Sequence, residues 1–191
     1  MKIKISQKLT DLKWLNMFNI EYIDKNGEEK IWQVASRKMK PKCVTGNYSI
    51  PDAVVIVAYH SSREKIVITK EYRVPLADYE FGFPAGLVDA GESVQQAARR
   101  ELAEETGLKL TRFLREGPPI YSSAGMTDES VSMIYVECEG EPTTAGNEGT
   151  EDIEVMFVSA KEASRLCAQE SYKFDAKAWL VLLHYSENGY I

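Results

Sequence analysis

The chain has 191 residues, 44% of them hydrophobic and 27% charged, and a formal net charge of −6. That composition supports one packed domain, alone or with a small attachment, and argues against a largely disordered chain. The acidic balance argues against nonspecific nucleic-acid binding, which leaves a basic footprint, and no window approaches the roughly 18 apolar residues of a membrane span.

Three cysteines, Cys43, Cys138 and Cys167, form no short paired spacing. An odd count of this kind fits reduced thiols better than a disulfide framework or a zinc site. His60 and His184 are the only imidazoles and lie far apart in sequence, which argues against a histidine-rich metal centre. The N-terminal stretch MKIKISQKLTDLKW lacks the apolar run of a secretory signal, so the expected compartment is the cytoplasm.

Along the chain, residues 16–36 read as a hairpin. Phe18, Ile20 and Tyr22 alternate with polar neighbours, Asn26-Gly27 supplies turn chemistry, and Lys30–Ala35 forms the return strand. A polar connector, residues 36–51, follows. AVVIVAY (residues 53–59) is a continuous β-branched run, expected to be a strand buried on both faces, and EKIVITKEYR (residues 64–73) is its partner. VPLADYEFGFPAG is looser. Ser93 and Gln96 then form a capping-box pattern and Gly107 a stop, predicting a helix over VQQAARRELAEE with Val94, Ala97, Ala98 and Leu102 on its apolar stripe. Residues 131–138 and 153–158 read as strands. Ser159 and Glu162 open a helix ending near Gln169, and a last helix is expected over residues 174–185. Strands on either side of a helix, with helices at the end and no GxGxxG, predict an α/β sandwich around a mixed sheet rather than a dinucleotide fold.

RRELAEETGL, residues 99–108, breaks local rules. Glu101, Glu104 and Glu105 stand at i, i+3 and i+4, so like charges crowd one side of the helix. They also lie in its C-terminal half, where the helix dipole disfavours anions. One reading is a solvated acidic face balanced by Arg99 and Arg100. The other is a site for a hard divalent cation, Mg²⁺ or Mn²⁺, which prefers carboxylate oxygens and keeps waters and substrate phosphates around it.

The wider stretch favours the second reading. Gly86, five residues, Glu92, seven residues, then Arg100-Glu101-Leu102-Ala103-Glu104-Glu105-Thr106-Gly107-Leu108 resembles the Nudix hydrolase signature at every fixed position. The resemblance implies a Nudix-type α/β/α sandwich and a pyrophosphohydrolase. It implies that Glu101, Glu104 and Glu105 are metal ligands, that Arg100 and Glu92 orient them, and that Gly86 and Gly107 serve backbone geometry. In this family the general base can come from a later loop. The candidates in AGNEGTEDIEV are Glu148 and Glu151, with Glu148 favoured because it lies farther into the loop.

Three features resemble the ADP-ribose pyrophosphatase and nucleoside-diphosphate-sugar group. KEYRVP precedes EFGFPAG, which implies substrate contacts from Arg73 and Glu80 and a metal contact from the Ala85 carbonyl. YSSAGMTDESV resembles that group's Ser-Pro-Gly-x-Thr-Asp-Glu loop, with Ala124 departing from its proline. A β extension over residues 1–47 precedes the Nudix domain of residues 48–191, and in relatives such an extension helps build a homodimer. Trp14, Tyr22, Trp32 and Tyr72 are aromatic candidates for stacking on a base. The implied reaction is Mg²⁺-dependent hydrolysis of ADP-ribose or a related nucleoside diphosphate sugar to a nucleoside monophosphate and a sugar phosphate. The partner is a small nucleoside diphosphate derivative, with no nucleic acid and no membrane expected. The alternatives are another Nudix specificity or a noncatalytic nucleotide-sugar-sensing module, the latter disfavoured by the intact glutamate set.

Overall fold

A computed structural model describes residues 1–147 and 149–191. The chain divides into two compact units, Met1–Asp52 with Pro119–Val131, and Ala53–Pro118 with Ser132–Ile191.

In the first unit β1 (Lys2–Lys8), β2 (Asn16–Ile23) and β3 (Glu29–Ser36) form an antiparallel sheet in that order. The β2–β3 hairpin is the expected one. Its turn is closed by the Asp24 carboxylate, which accepts the N–H groups of Asn26 at 2.8 Å and Glu28 at 3.0 Å. Gly27 takes the left-handed φ of +84° that this turn needs. β1 was not expected, because its alternation is short, lysine-rich and mostly exposed. Phe18, Ile20 and Val34 form a small core with Cys43 packed against it.

The polar connector contains one helical turn, α1 (Lys42–Thr45). Segment 119–131 contributes β9 (Ile120–Tyr121) and is tied to this unit by side chains. Trp32 Nε1 donates to the Gly125 carbonyl at 3.2 Å, and Asp128 accepts the Lys42 N–H at 2.7 Å and the Ser36 hydroxyl at 3.1 Å. Lys42 is buried, with its ammonium 2.5 Å from Ser130 Oγ and 2.6 Å from the buried Asp52 carboxylate. Burial pushes the Asp52 carboxyl up, but bonds from Lys42, the Ser130 N–H and Lys38 together hold it below the usual range.

The second unit is built on β4 (Ala53–His60), β5 (Lys65–Arg73), β6 (Asp78–Gly82), β7 (Ala85–Leu87), β8 (Lys109–Glu116), β10 (Ser130–Glu139), β11 (Ile153–Val158) and β12 (Lys173–Phe174). The first two residues of β10 belong with the first unit. The sheet runs β12-β6-β5-β4-β10-β8, with β11 along β5 and β7 along β4. Parallel pairing of β12 with β6 makes it mixed.

α2 (Val94–Thr106) lies on β4, β7 and β8, while α3 (Ala160–Cys167) and α4 (Ala176–Asn188) pack on each other, on β11 and on β6. Val54, Ile56 and Ala58 of β4 join Ala97, Ala98 and Leu102 of α2 in one core, and Val55 and Val57 on the opposite face are equally buried. Both faces of the central strand are therefore covered, as its unbroken apolar run predicts, in keeping with the α/β/α sandwich that the resemblance implies.

Two boundaries differ. α3 ends at Cys167 rather than near Gln169. α4 starts at Ala176, because Asp175 caps it by accepting the N–H groups of Lys177 and Ala178 at 2.9 and 3.1 Å. Phe174 instead extends β12 and stacks on Phe81 at 5.3 Å. The looser VPLADYEFGFPAG stretch holds a 3₁₀ turn at Val74–Leu76, then β6 and β7. No helix among the described residues is long and apolar enough to cross a membrane.

Candidate active site

The carboxylate-bearing helix is fixed at both ends by its own sequence. Ser93 Oγ accepts the Gln96 N–H at 3.2 Å while the Gln96 side chain accepts the Ser93 N–H at 2.8 Å. Gly107, at φ +71°, stops it and donates its N–H to the Ala103 carbonyl at 2.9 Å. The apolar stripe that buries Ala98 and Leu102 continues, by helical spacing, onto Glu105. Core packing therefore carries Glu105 under the surface, where it is 7% exposed. Glu101 lies at the edge of that stripe and Glu104 outside it, with side chains 13% and 52% exposed.

Arg100 organises the outer carboxylates. Its Nε and Nη2 donate to the two Glu92 oxygens at 3.1 and 2.9 Å, and Nη1 donates to Glu101 at 2.7 Å and Glu104 at 3.1 Å. Nη2 also reaches the Leu87 carbonyl at 2.9 Å, which joins the helix to β7. These bonds hold the Glu92 carboxyl below its ordinary range and bind the guanidinium proton more firmly. Gly86 is required for clearance, since a Cβ there would overlap the Glu101 carboxylate.

Glu105 has a different environment. It accepts the Ala85 N–H at 3.1 Å, and among the described residues no cationic side chain pairs with it. Burial, with the charges of Glu71, Glu101 and Glu151 against only that one N–H, pushes its carboxyl up to about 8. Glu101 is also raised, chiefly by burial, despite its bond to Arg100.

Glu71 was not anticipated from the sequence. It faces Glu80 directly across the β5–β6 ladder, an arrangement that is unfavourable for like charges. Arg73 offsets it, with Nη1 2.7 Å from Glu71 and Nε 3.5 Å from Glu80. Burial, then Glu151 and Glu80 against Arg73, raises the Glu71 carboxyl. The available signal was the two-residue period that sets Glu71 and Arg73 on one face of β5.

The acidic loop lies beside the helix. Thr143 donates its N–H to the Thr106 carbonyl at 2.9 Å, and Gly146 approaches the Glu104 backbone. Glu151 bears electrostatically on Glu71, Glu101 and Glu105, while Glu148, the favoured base, lies outside the described residues. Of the aromatic candidates, Tyr72 packs edge-on to Tyr79 at 5.5 Å and Trp14 is exposed. Tyr22 and Trp32 line an apolar cavity of about 610 Å³ in the first unit, together with Ala124.

The oxygens able to take a hard cation are those of Glu101, Glu104 and Glu105 and the nearby backbone. Two of the three glutamates are desolvated, the chemistry that a bound cation offsets. Among the described residues no three acidic, histidine or cysteine side chains are grouped as they would be around an ion; Glu104 instead meets Arg100.

The chain is 29% identical over 180 residues to an ADP-ribose pyrophosphatase of Saccharomyces cerevisiae (90% of this chain, 76% of that one). It is 35% identical over 132 residues to an ADP-ribose pyrophosphatase of Bacillus subtilis (66% and 68%), and 28% identical over 142 residues to an ADP-sugar pyrophosphatase of Mus musculus (73% and 61%). The chain thus spans about three fifths to three quarters of the length of these curated relatives. A solved structure titled "Crystal structure of ADP compounds hydrolase" superposes with a TM-score of 0.73, covering 98% of this chain and 95% of that one at 20% identity, which shows a shared fold. The NUDIX domain model matches residues 50–180, so the chain belongs to that family.

Proposed function

We propose that the protein is a Nudix pyrophosphohydrolase that cleaves the diphosphate linkage of ADP-ribose or a related nucleoside diphosphate sugar, with Mg²⁺ or Mn²⁺ at Glu101, Glu104, Glu105 and the Ala85 carbonyl. The observation that carries it is the pairing of a buried, uncompensated Glu105 with outer carboxylates held by Arg100. The sequence relatives named as acting on ADP-ribose and ADP-sugars support the substrate class.

When bound, the cation supplies neutralisation of phosphate oxygens and a more acidic water. The chain's own residues do the rest. Arg100 holds Glu101 and Glu104 together through its shared Nη1. The Ala85 N–H fixes one Glu105 oxygen. A loop carboxylate, Glu148 or Glu151, accepts the proton of the attacking water as its oxygen bonds to phosphorus. The bridging P–O bond breaks, and its electron pair leaves on the departing phosphate. Arg73, 45% exposed at its side chain, retains donors for a substrate phosphate while it holds Glu71, and Glu80 shares in that subsite.

Two further properties belong to the same reading. The first unit exposes Ile3, Ile5, Leu12, Trp14, Ile31 and Trp32, apolar surface suited to a homodimer contact. The chain's three cysteines are unpaired, in keeping with a reducing compartment such as the cytoplasm.

The test is purified protein with Mg²⁺, offered ADP-ribose, other nucleotide sugars and nucleoside triphosphates, with products separated by chromatography. AMP and ribose 5-phosphate from ADP-ribose are expected. No turnover of any diphosphate would defeat the proposal.

A further inference from the structure

The acidic loop is strapped at both ends. At one end the Thr143 N–H binds the carbonyl of Thr106, the last residue of α2, at 2.9 Å, and so satisfies an acceptor that helix ends leave open. The turn is closed locally by the Ala145 N–H on Thr143 Oγ1 at 3.2 Å and the Asn147 N–H on the Thr144 carbonyl at 3.1 Å. Gly146 then passes against the helix so closely that an added Cβ would stand 2.9 Å from the Glu104 carbonyl oxygen and 3.5 Å from its Cα. Both are backbone atoms of a packed helix, which do not yield. At the other end the Asp152 carbonyl accepts the Tyr72 N–H at 3.0 Å and its carboxylate accepts the Tyr79 hydroxyl at 2.5 Å. Only residues 147–151 lie between these anchors, and they carry Glu148 and Glu151.

We infer that Gly146 and Thr143 are positioning residues for the reaction: they seat the loop on the C-terminal turn of α2, and that seat sets where the loop carboxylate of Glu151 stands relative to Glu101 and Glu105. The inference rests on the hydrolase reading above. Gly146 is there for close approach rather than for turn conformation, since its φ is not left-handed.

The experiment compares the full chain with Gly146→Ala and Thr143→Pro. Three readouts are taken: amide exchange at residues 143–147 in the metal-free protein, thermal midpoint, and kcat and KM for ADP-ribose with Mg²⁺. Gly146→Ala should speed exchange at Thr143 by about tenfold or more, leave the midpoint nearly unchanged, and lower kcat by about tenfold to a hundredfold with KM within about twofold, as expected for misplacement by about an ångström. Thr143→Pro, which deletes the N–H donor, should show the same split between kcat and KM. An active wild type with an equally active Gly146→Ala overturns the inference alone, as does a Gly146→Ala whose loop exchange is unchanged. A wild type that turns over no diphosphate overturns the inference together with the hydrolase reading.

Discussion

Glu105→Gln is the sharpest test of why the helix carries a buried carboxylate. In the folded chain the Glu105 carboxyl is raised from 4.5 to about 8 by burial and by neighbouring carboxylates. A carboxyl with a raised folded pKa binds its proton more tightly in the folded state. Between about pH 4.5 and 8 the unfolded chain has released that proton and the folded chain has not, so the stability of the metal-free protein falls as pH rises through this window. At about 1.4 kcal/mol per unit, the shift sets a ceiling of about 5 kcal/mol at pH 8 and above. Glutamine keeps an oxygen for the Ala85 N–H and has no charge to desolvate. In chelator at pH 8.5, Glu105→Gln should therefore melt higher than wild type, by about 5–15 °C on the usual scale for a chain of this size; at pH 4.5 the two should nearly coincide. Added Mg²⁺ should raise the wild-type midpoint at pH 8.5 and move the variant much less, while turnover falls in the variant. Calorimetry at the two pH values, with and without Mg²⁺, measures all of this. A variant no more stable than wild type at pH 8.5, or an equal Mg²⁺ shift in both, would refute the account of Glu105.

Gly86→Ala should lower kcat by about a hundredfold with little loss of stability, because its Cβ displaces Glu101 rather than the core; steady-state kinetics and a melting curve check this. Arg100→Lys should lose at least about tenfold in kcat, since one ammonium cannot span Glu92, Glu101 and Glu104 as the guanidinium does. Of Glu148→Gln and Glu151→Gln, the one that removes the base should lose about 10²–10⁴ in kcat, and equally mild losses in both would reject the loop as the source of the base. Lys42→Met should cost about 1–3 kcal/mol in urea unfolding, because the buried Asp52 loses its buried ammonium partner while keeping Lys38 and the Ser130 N–H. Because the folded pKa of Asp52 is depressed, the stability this pair contributes is present above the ordinary carboxyl range and is lost as pH falls through the folded value.

Local chemistry determined much of this protein without any knowledge of its fold. The Ser93–Gln96 box and Gly107 bound α2 because caps act on backbone groups one turn away. The unbroken AVVIVAY run made β4 a strand covered on both faces, and the glutamate spacing identified the helix that bears the site. Tertiary structure alone decided what each glutamate became. Glu104 and Glu105 are neighbours of the same type, yet packing of Leu102 and Ala98 takes Glu105 out of water and leaves Glu104 exposed. Glu71 joins the site only because β5 pairs with β6 and β11, partners remote in sequence. Segment 119–131 is assigned to the N-terminal unit by Trp32, Ser36 and Lys42, some 90 residues away. Desolvation and strand pairing depend on which distant segments meet, and a local pattern carries no record of that.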